Sequence, residues 1–235
     1  MSNSNDMNQI EQHLDKLIEE IGQHLNKTNA EPIFDGVYDW DMYHNAPFQF
    51  MVVMKEAYDE IDEKDYSSGG GWYITKDCFG KDDVWKNRSW QPLIYITYGL
   101  FNNKRYEEMD YIRDDKSMAE VLKSIAYINT NKMPALKQTN DMELQANYDI
   151  WKPILLKQME VFSPKIILFA NTFKIYKKDL MGETSQPTYT SPKGSVHAYV
   201  KDGKILLDAY HPNQKTFERS IYINEILDAI NKLRY

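Results

Sequence analysis

The stretch FQFMVVMKEAYD, residues 48–59, sets an unbroken apolar run of strand length against an abrupt polar end. A run this short, rich in Val, Phe and Met, does not make a buried helix, and it reads as a β-strand. Three similar runs follow, SIAYIN (124–129), KIILFAN (165–171) and KILLDAY (204–210). Helical stretches lie between and beyond them. VWKNRSWQPLIYITYGLF (84–101) and DKSMAEVLKSI (115–125) separate the first two strands, LQANYDIWKPILLKQMEVF (144–162) precedes the third, and FERSIYINEILDAINKLR (217–234) closes the chain. Strands alternating with helices predict a three-layer α/β/α sandwich with a central, mainly parallel sheet covered on both faces.

Ahead of this α/β core (48–235), Ile10, Leu14, Leu17, Ile18, Ile21 and Leu25 recur at three- and four-residue steps and mark an amphipathic helix. The connection from 26 to 47 reads as ordered but irregular, rich in turn residues and aromatics. VHAYV, joined to KILLDAY through Lys201-Asp202-Gly203, has the pattern of an antiparallel hairpin, because Asp-Gly accepts the positive φ of tight turns. SSGGGW (67–72) is the one low-complexity segment and reads as a mobile loop, with 61–83 a candidate lid over a ligand. No internal repeat occurs, and the whole chain, 1–235, reads as a single domain.

Composition narrows the function classes. One cysteine, Cys78, supplies neither an internal disulfide nor the thiolates of a zinc ribbon or an iron–sulfur cluster, which fits a reducing cytoplasm. No apolar run approaches the about 20 residues that span a bilayer, so no membrane partner is expected. No His or Cys cluster has metal-ligand spacing and no Walker-type loop occurs, so neither metal nor other cofactor is expected. The net charge of -7 argues against indiscriminate binding to phosphate backbones. Residues 151–235 nevertheless carry 13 basic and 8 acidic side chains, against 15 and 27 in 1–150, so a basic face is expected on the second part, with Lys174, Lys177, Lys178 and Lys215 beside the strand ends.

Parallel strands all end along one edge of a sheet, and that edge is where open α/β folds keep their ligands. The ends here are KEAYDE, NTNK, NTFK and HPNQ, which gather Glu56, Tyr58, Asn129, Asn131, Asn171 and His211. A carboxylate, a set of amides and an imidazole suit both base-edge recognition and acid–base chemistry. Each also has a plainer reading: Glu56 as a carboxylate paired with Lys55 or Lys132, the asparagines as turn formers or helix caps, His211 as a loop histidine, and Trp72 as an aromatic packed under the glycines.

The ordered set MKEAYD, AYINT and HPNQ resembles the uracil-DNA glycosylase superfamily over roughly residues 48–233, each motif being degenerate alone. The resemblance implies cleavage of an N-glycosidic bond to release a base from DNA or a nucleoside. It implies Glu56 and His211 as catalytic groups, the first orienting water and stabilising a cationic sugar, the second donating to the departing base. It assigns Asn129 and Asn131 to the base edge, Tyr58 and Trp72 to the walls, and Asn213 and Lys215 to phosphate or backbone contact. Departures are also plain: Ala57, Lys55 and Asp59 within the first motif, and Asn213, Gln214 and Lys215 after His211-Pro212. Lysine does not wedge into a base stack as leucine does, so single-stranded DNA or a free nucleoside is the expected substrate. The alternatives are a catalytically silent module that binds a nucleotide or single strand, and an unrelated α/β hydrolase or scaffold.

Overall fold

The computed structural model describes residues 4–25, 30–59, 69–135 and 140–234. In chain order the elements are α1 (Ser4–Leu25), β1 (Gly36–Val37), α2 (Trp40–Asn45), β2 (Phe50–Met54), α3 (Ile74–Cys78), α4 (Trp90–Asn102), β3 (Ala126–Asn129), α5 (Asp141–Phe162), β4 (Ile166–Ala170), α6 (Phe173–Met181), β5 (Tyr189–Thr190), β6 (Val196–Lys201), β7 (Lys204–Ala209) and α7 (Arg219–Leu233), with 3₁₀ turns between them. The seven strands form one sheet in the order β1-β3-β2-β4-β7-β6-β5. Its central four, β3-β2-β4-β7, are mutually parallel and are the four apolar runs of the sequence. The flanking β1, β6 and β5 are antiparallel. The sheet is therefore mixed, with a parallel core.

Strand alternation sorts the core into two layers. Phe50, Val52 and Met54 of β2 face α4, α7 and the 3₁₀ segment Lys116–Ser124, packing with Leu93, Ile96, Leu122 and Ile226. Met51 and Val53 face the opposite layer of α1, α2, α5 and α6, packing with Leu14, Ile18, Trp151 and Tyr176. Every residue of β2, β3 and β4 is buried, which is why each reads as an unbroken apolar run.

Several expectations change in detail. The connection at 26–47 holds β1 and α2, the latter capped by Asp39, whose carboxylate accepts the Met42 N–H. Residues 116–124 coil as 3₁₀ turns rather than as an α-helix. In α1 the apolar stripe is shorter than its periodicity, since Ile10 and Leu25 are exposed while Glu11 and Asp15 are buried. Asp202 and Gly203 both have positive φ and close the β6–β7 hairpin, as the Asp-Gly pair predicts.

The described part of the glycine segment is pinned. Gly69 O accepts the Glu31 N–H and the Gly71 N–H donates to Pro32 O, both at 2.9 Å. Gly70 has φ +87°, and a Cβ there would lie 1.7 Å from Glu31 O. Glycine is required because two backbones touch, not because the chain moves. Of the candidate lid 61–83, residues 61–68 lie outside the described residues.

Candidate functional site

A cleft of about 670 Å³ opens at the carboxyl ends of the parallel strands. That size suits a drug- or nucleotide-sized ligand. The segment leaving β2 supplies Lys55, Glu56 and Tyr58, and the segment leaving β7 supplies His211 and Asn213. Trp72 from the glycine segment and Trp90 at the start of α4 also line it, with Tyr127 of β3 beneath.

His211 is held in one protonation state and one tautomer. Burial first, and then the charge of Lys55, pull its pKa down to about 4, so the ring is neutral near pH 7. The Asn213 N–H donates to Nδ1 at 3.1 Å. A backbone N–H can only donate, so the ring proton sits on Nε2, and His211 offers the cleft a neutral donor. The turn that sets this geometry is closed by the Gln214 N–H donating to His211 O at 2.8 Å.

The walls are aromatic and fixed. Asp59 accepts from Trp72 Nε1 at 2.9 Å and from the Gly70 N–H at 2.7 Å. Trp90 donates to the Tyr127 hydroxyl at 3.4 Å, and Phe79 packs edge-on against both rings, with centroids 5.3 Å and 5.5 Å away. Tyr58 is 52% exposed and stands at the mouth. The sequence reading missed Trp90, Tyr127, Asn87 and Ser89. The one available signal was the turn-forming Asn87-Arg88-Ser89 ahead of a helix, placing that helix start near a strand edge.

Asn129, Asn131 and Asn171 do not reach the cleft lining. The segment after β3 continues to pair with the one after β2, through Thr130 N–H to Met54 O at 2.9 Å and Asn131 N–H to Lys55 O at 2.8 Å. Asn131 Oδ1 then accepts the Met133 N–H at 3.1 Å, the local turn that asparagine favours. Asn171 stands outside, in the left-handed region after β4. Asn129 lies beneath the cleft, 1% exposed, on the sheet face it shares with Tyr127 and Met54. Among the described residues neither Nδ2 nor Oδ1 of Asn129 has a hydrogen-bond partner.

Lys132 pairs with Asp35 rather than with Glu56. Of the basic rim expected from α6, two lysines are ion-paired, Lys174 with Asp141 at 2.5 Å and Lys178 with Glu183 at 3.1 Å, while Lys177 lies over the Tyr199 ring. Lys215 lines a neighbouring cavity rather than the cleft, and its Nζ donates to Asn213 Oδ1 at 3.2 Å. Among the described residues, no group of three or more His, Cys, Asp or Glu could hold a metal ion, and no helix is long and apolar enough to cross a membrane.

Fold and cleft together define an α/β protein with a carboxylate, a neutral histidine donor and two indoles at the carboxyl edge of a parallel sheet core. In comparison with known proteins, no family model matches the chain, and no curated protein matches it significantly.

Proposed function

We propose that the cleft receives a nucleobase and that the protein is a uracil-DNA glycosylase-like hydrolase of N-glycosidic bonds. One observation carries the reading: Glu56 and His211, from different strand ends, line one aromatic-walled cleft, and His211 presents a neutral Nε2–H donor to it. In the reaction, water oxygen bonds to the anomeric carbon as the bond to the base nitrogen breaks, and the nitrogen keeps the electron pair. Glu56 stabilises the cationic sugar and takes the proton of the attacking water. His211 donates a hydrogen bond to a carbonyl oxygen of the departing base anion. Trp72 and Trp90 offer faces on which a base stacks. The ion-paired Lys174 and Lys178 of α6 favour a substrate smaller than duplex DNA.

Lys55 supports a second reading. Lys55 lines the cleft and lies 3.7 Å from Asp141, a carboxylate it shares with Lys174, so positive charge left over at the cleft opposes a cationic sugar and favours an anionic ligand, which suits a module that binds nucleotides without cleaving them. Release of free base from uracil-containing single strands, duplexes and nucleosides separates the two. Hydrolysis is expected to be fastest on single strands or nucleosides, reduced by roughly 100-fold or more in Glu56→Gln and by roughly 10-fold or more in His211→Ala. Release unchanged in Glu56→Gln rules out this mechanism. Binding without release from any substrate establishes the module.

A further inference from the structure

A second cavity, of about 240 Å³, lies on the far side of two segments that wall the cleft. Within each segment, neighbouring residues serve different spaces. Asn87, Ser89, His211 and Asn213 line the cleft, while Arg88, Pro212 and Lys215 line the second cavity. The backbone of both segments therefore stands between the two spaces, and a ligand of one is not a ligand of the other. A volume below the roughly 300 Å³ of the smallest drug-sized pockets suits a small ion rather than a nucleoside.

The lining carries one sign of charge. Arg88, Lys215 and Arg219 supply three cations, and no carboxylate lines the cavity. Among the described residues neither arginine forms an ion pair, in contrast to Lys174 and Lys178 on α6. Two helices also begin here, since Pro92 lies in the first turn of α4 and Arg219 is the first residue of α7, and both bring the positive ends of their dipoles. Positive charge gathered in this way repels itself, and an anion among it reverses the sign of the interaction. The floor is prebuilt. Pro92, Pro212 and Tyr222 are buried, and the Tyr222 hydroxyl donates to Tyr210 O at 2.6 Å. Gln214 clasps Phe217 twice, its Nε2 donating to Phe217 O at 3.0 Å and its Oε1 accepting the Phe217 N–H at 2.8 Å.

The two segments, by contrast, are not tied to each other. Asn87 Oδ1 accepts the Ser89 and Trp90 N–H groups at 2.9 Å and 3.2 Å, and Lys215 Nζ donates to Asn213 Oδ1 at 3.2 Å, each bond staying local. Among the described residues no hydrogen bond or ion pair joins 87–89 to 211–217.

We infer that this cavity is a second binding site, separate from the cleft, for the dianion of inorganic phosphate or of a small phosphate monoester, and that the bound anion staples the two cleft-wall segments together. Such a dianion carries about -1.5 to -2 charges at pH 7, which three cations match, and arginine forks suit its oxygens. Arg88 reaches it from one segment and Lys215 from the other, with Arg219 on the start of α7. An occupied site thus orders the wall that carries His211 without entering the cleft. Neither part depends on what the cleft binds.

Calorimetric titration at constant ionic strength tests this, with inorganic phosphate, methyl phosphate and unphosphorylated single-stranded DNA as probes. The proteins are the wild type, Arg88→Gln/Arg219→Gln, and Lys123→Gln/Lys157→Gln, which removes the same charge elsewhere. The wild type and the lysine control are expected to bind both phosphates one to one, and the arginine variant at least about tenfold more weakly. Both arginines are exposed, so the urea midpoint without phosphate should be unchanged in the arginine variant. If it falls, Lys215→Gln carries the same comparison, with binding weakened by about threefold or more. Hydrogen exchange at the amides of 87–89 and 213–215 should slow by about threefold or more when phosphate saturates the wild type. No binding by the wild type, or binding weakened as much in the lysine control as in the arginine variant, overturns the site. Phosphate bound with exchange unchanged overturns the staple. DNA that displaces phosphate, with affinity rising with strand length, assigns the cavity to a nucleic-acid backbone and overturns the small dianion as its ligand.

Discussion

On the α5 side of the sheet, Asp35, Lys132 and Gln158 are buried together and bond almost entirely to one another. Lys132 Nζ donates to both Asp35 oxygens at 2.8 Å and 2.7 Å and to Gln158 Oε1 at 2.9 Å, and Gln158 Nε2 returns to Asp35 Oδ1 at 2.9 Å. On the α4 side, the amide of Asn129 is as deeply buried with no partner among the described residues, and His211 offers Nε2 to an open cleft. Yet the Asn129 N–H itself donates to Asp35 Oδ2 at 2.7 Å, so a single residue belongs to both regions. A polar cluster that closes on itself has no bonding capacity left for a ligand and is structural. Buried groups with bonding capacity left over destabilise the fold unless something else supplies the partner, and for that reason they mark a site.

The largest effect is expected where the closed cluster is broken. Lys132→Met leaves the Asp35 carboxylate buried without its cation, at a cost of about 3–5 kcal/mol. Urea unfolding should show this as a large fall in midpoint at unchanged slope. The double variant Asp35→Asn/Lys132→Met removes both charges and should recover much of the loss, because a well-packed neutral pair avoids the desolvation of two ions. A loss under about 1 kcal/mol in Lys132→Met would place the cluster outside the structural class and end the contrast with the cleft.

A smaller effect, with a pH signature, is expected at Asp15. Burial, aided by the charges of Glu11 and Asp35 and opposed by the Tyr73 hydroxyl and Lys76, lifts its pKa to about 6 from an ordinary 3.8. Between those values the folded chain binds the extra proton, so its contribution to stability falls as pH rises from about 4 to about 6 and stays low above. Asp15→Asn cannot ionise. It should stabilise the protein by roughly 2 kcal/mol at pH 7–8, with the gain vanishing toward pH 4. The Tyr73 hydroxyl, 3.0 Å from the carboxylate, can still donate to the amide oxygen, which should keep neighbouring Trp72 in place. Thermal unfolding across pH checks this. A gain that is constant from pH 4 to 8 would attribute it to something other than the Asp15 charge.

The same contrast decides what the sequence revealed. The parallel strands were legible because burial on both faces leaves runs such as FMVVM with no polar position. β1, with two residues, and α2, with six, are too short to establish a period. The 3₁₀ segment at 116–124 shares its three-residue spacing with an α-helix, so apolar pattern alone does not separate them. Glu56 and His211 could be placed at one edge because parallel strands share a direction. Trp90 and Tyr127 went unseen because an aromatic at a helix start or within a strand has the same appearance in a wall as in a core. The sequence pattern places Asn129 at the cleft because alternation reveals which face a side chain takes and nothing of its depth.

The smallest expected change in stability carries the sharpest information. Replacing a hydrogen-bonded buried asparagine normally costs about 1–3 kcal/mol, because its former partners are left unsatisfied. Asn129 has no side-chain partner among the described residues to abandon, and the bond it does make, to Asp35, comes from its backbone and survives substitution. Leucine has nearly the same shape and carries no polar atoms to bury. Asn129→Leu should therefore be neutral or stabilising by up to about 1 kcal/mol. Asn129 lies outside the cleft lining, so binding of deoxyuridine should change by less than about threefold, and a larger loss would place its amide in the site. Unfolding and titration on the one variant thus test separately whether the amide holds the fold and whether it belongs to the cleft. A loss of more than about 1 kcal/mol would mean that the amide is held structurally after all, and Asn129 would then belong with Lys132 on the closed side of the comparison.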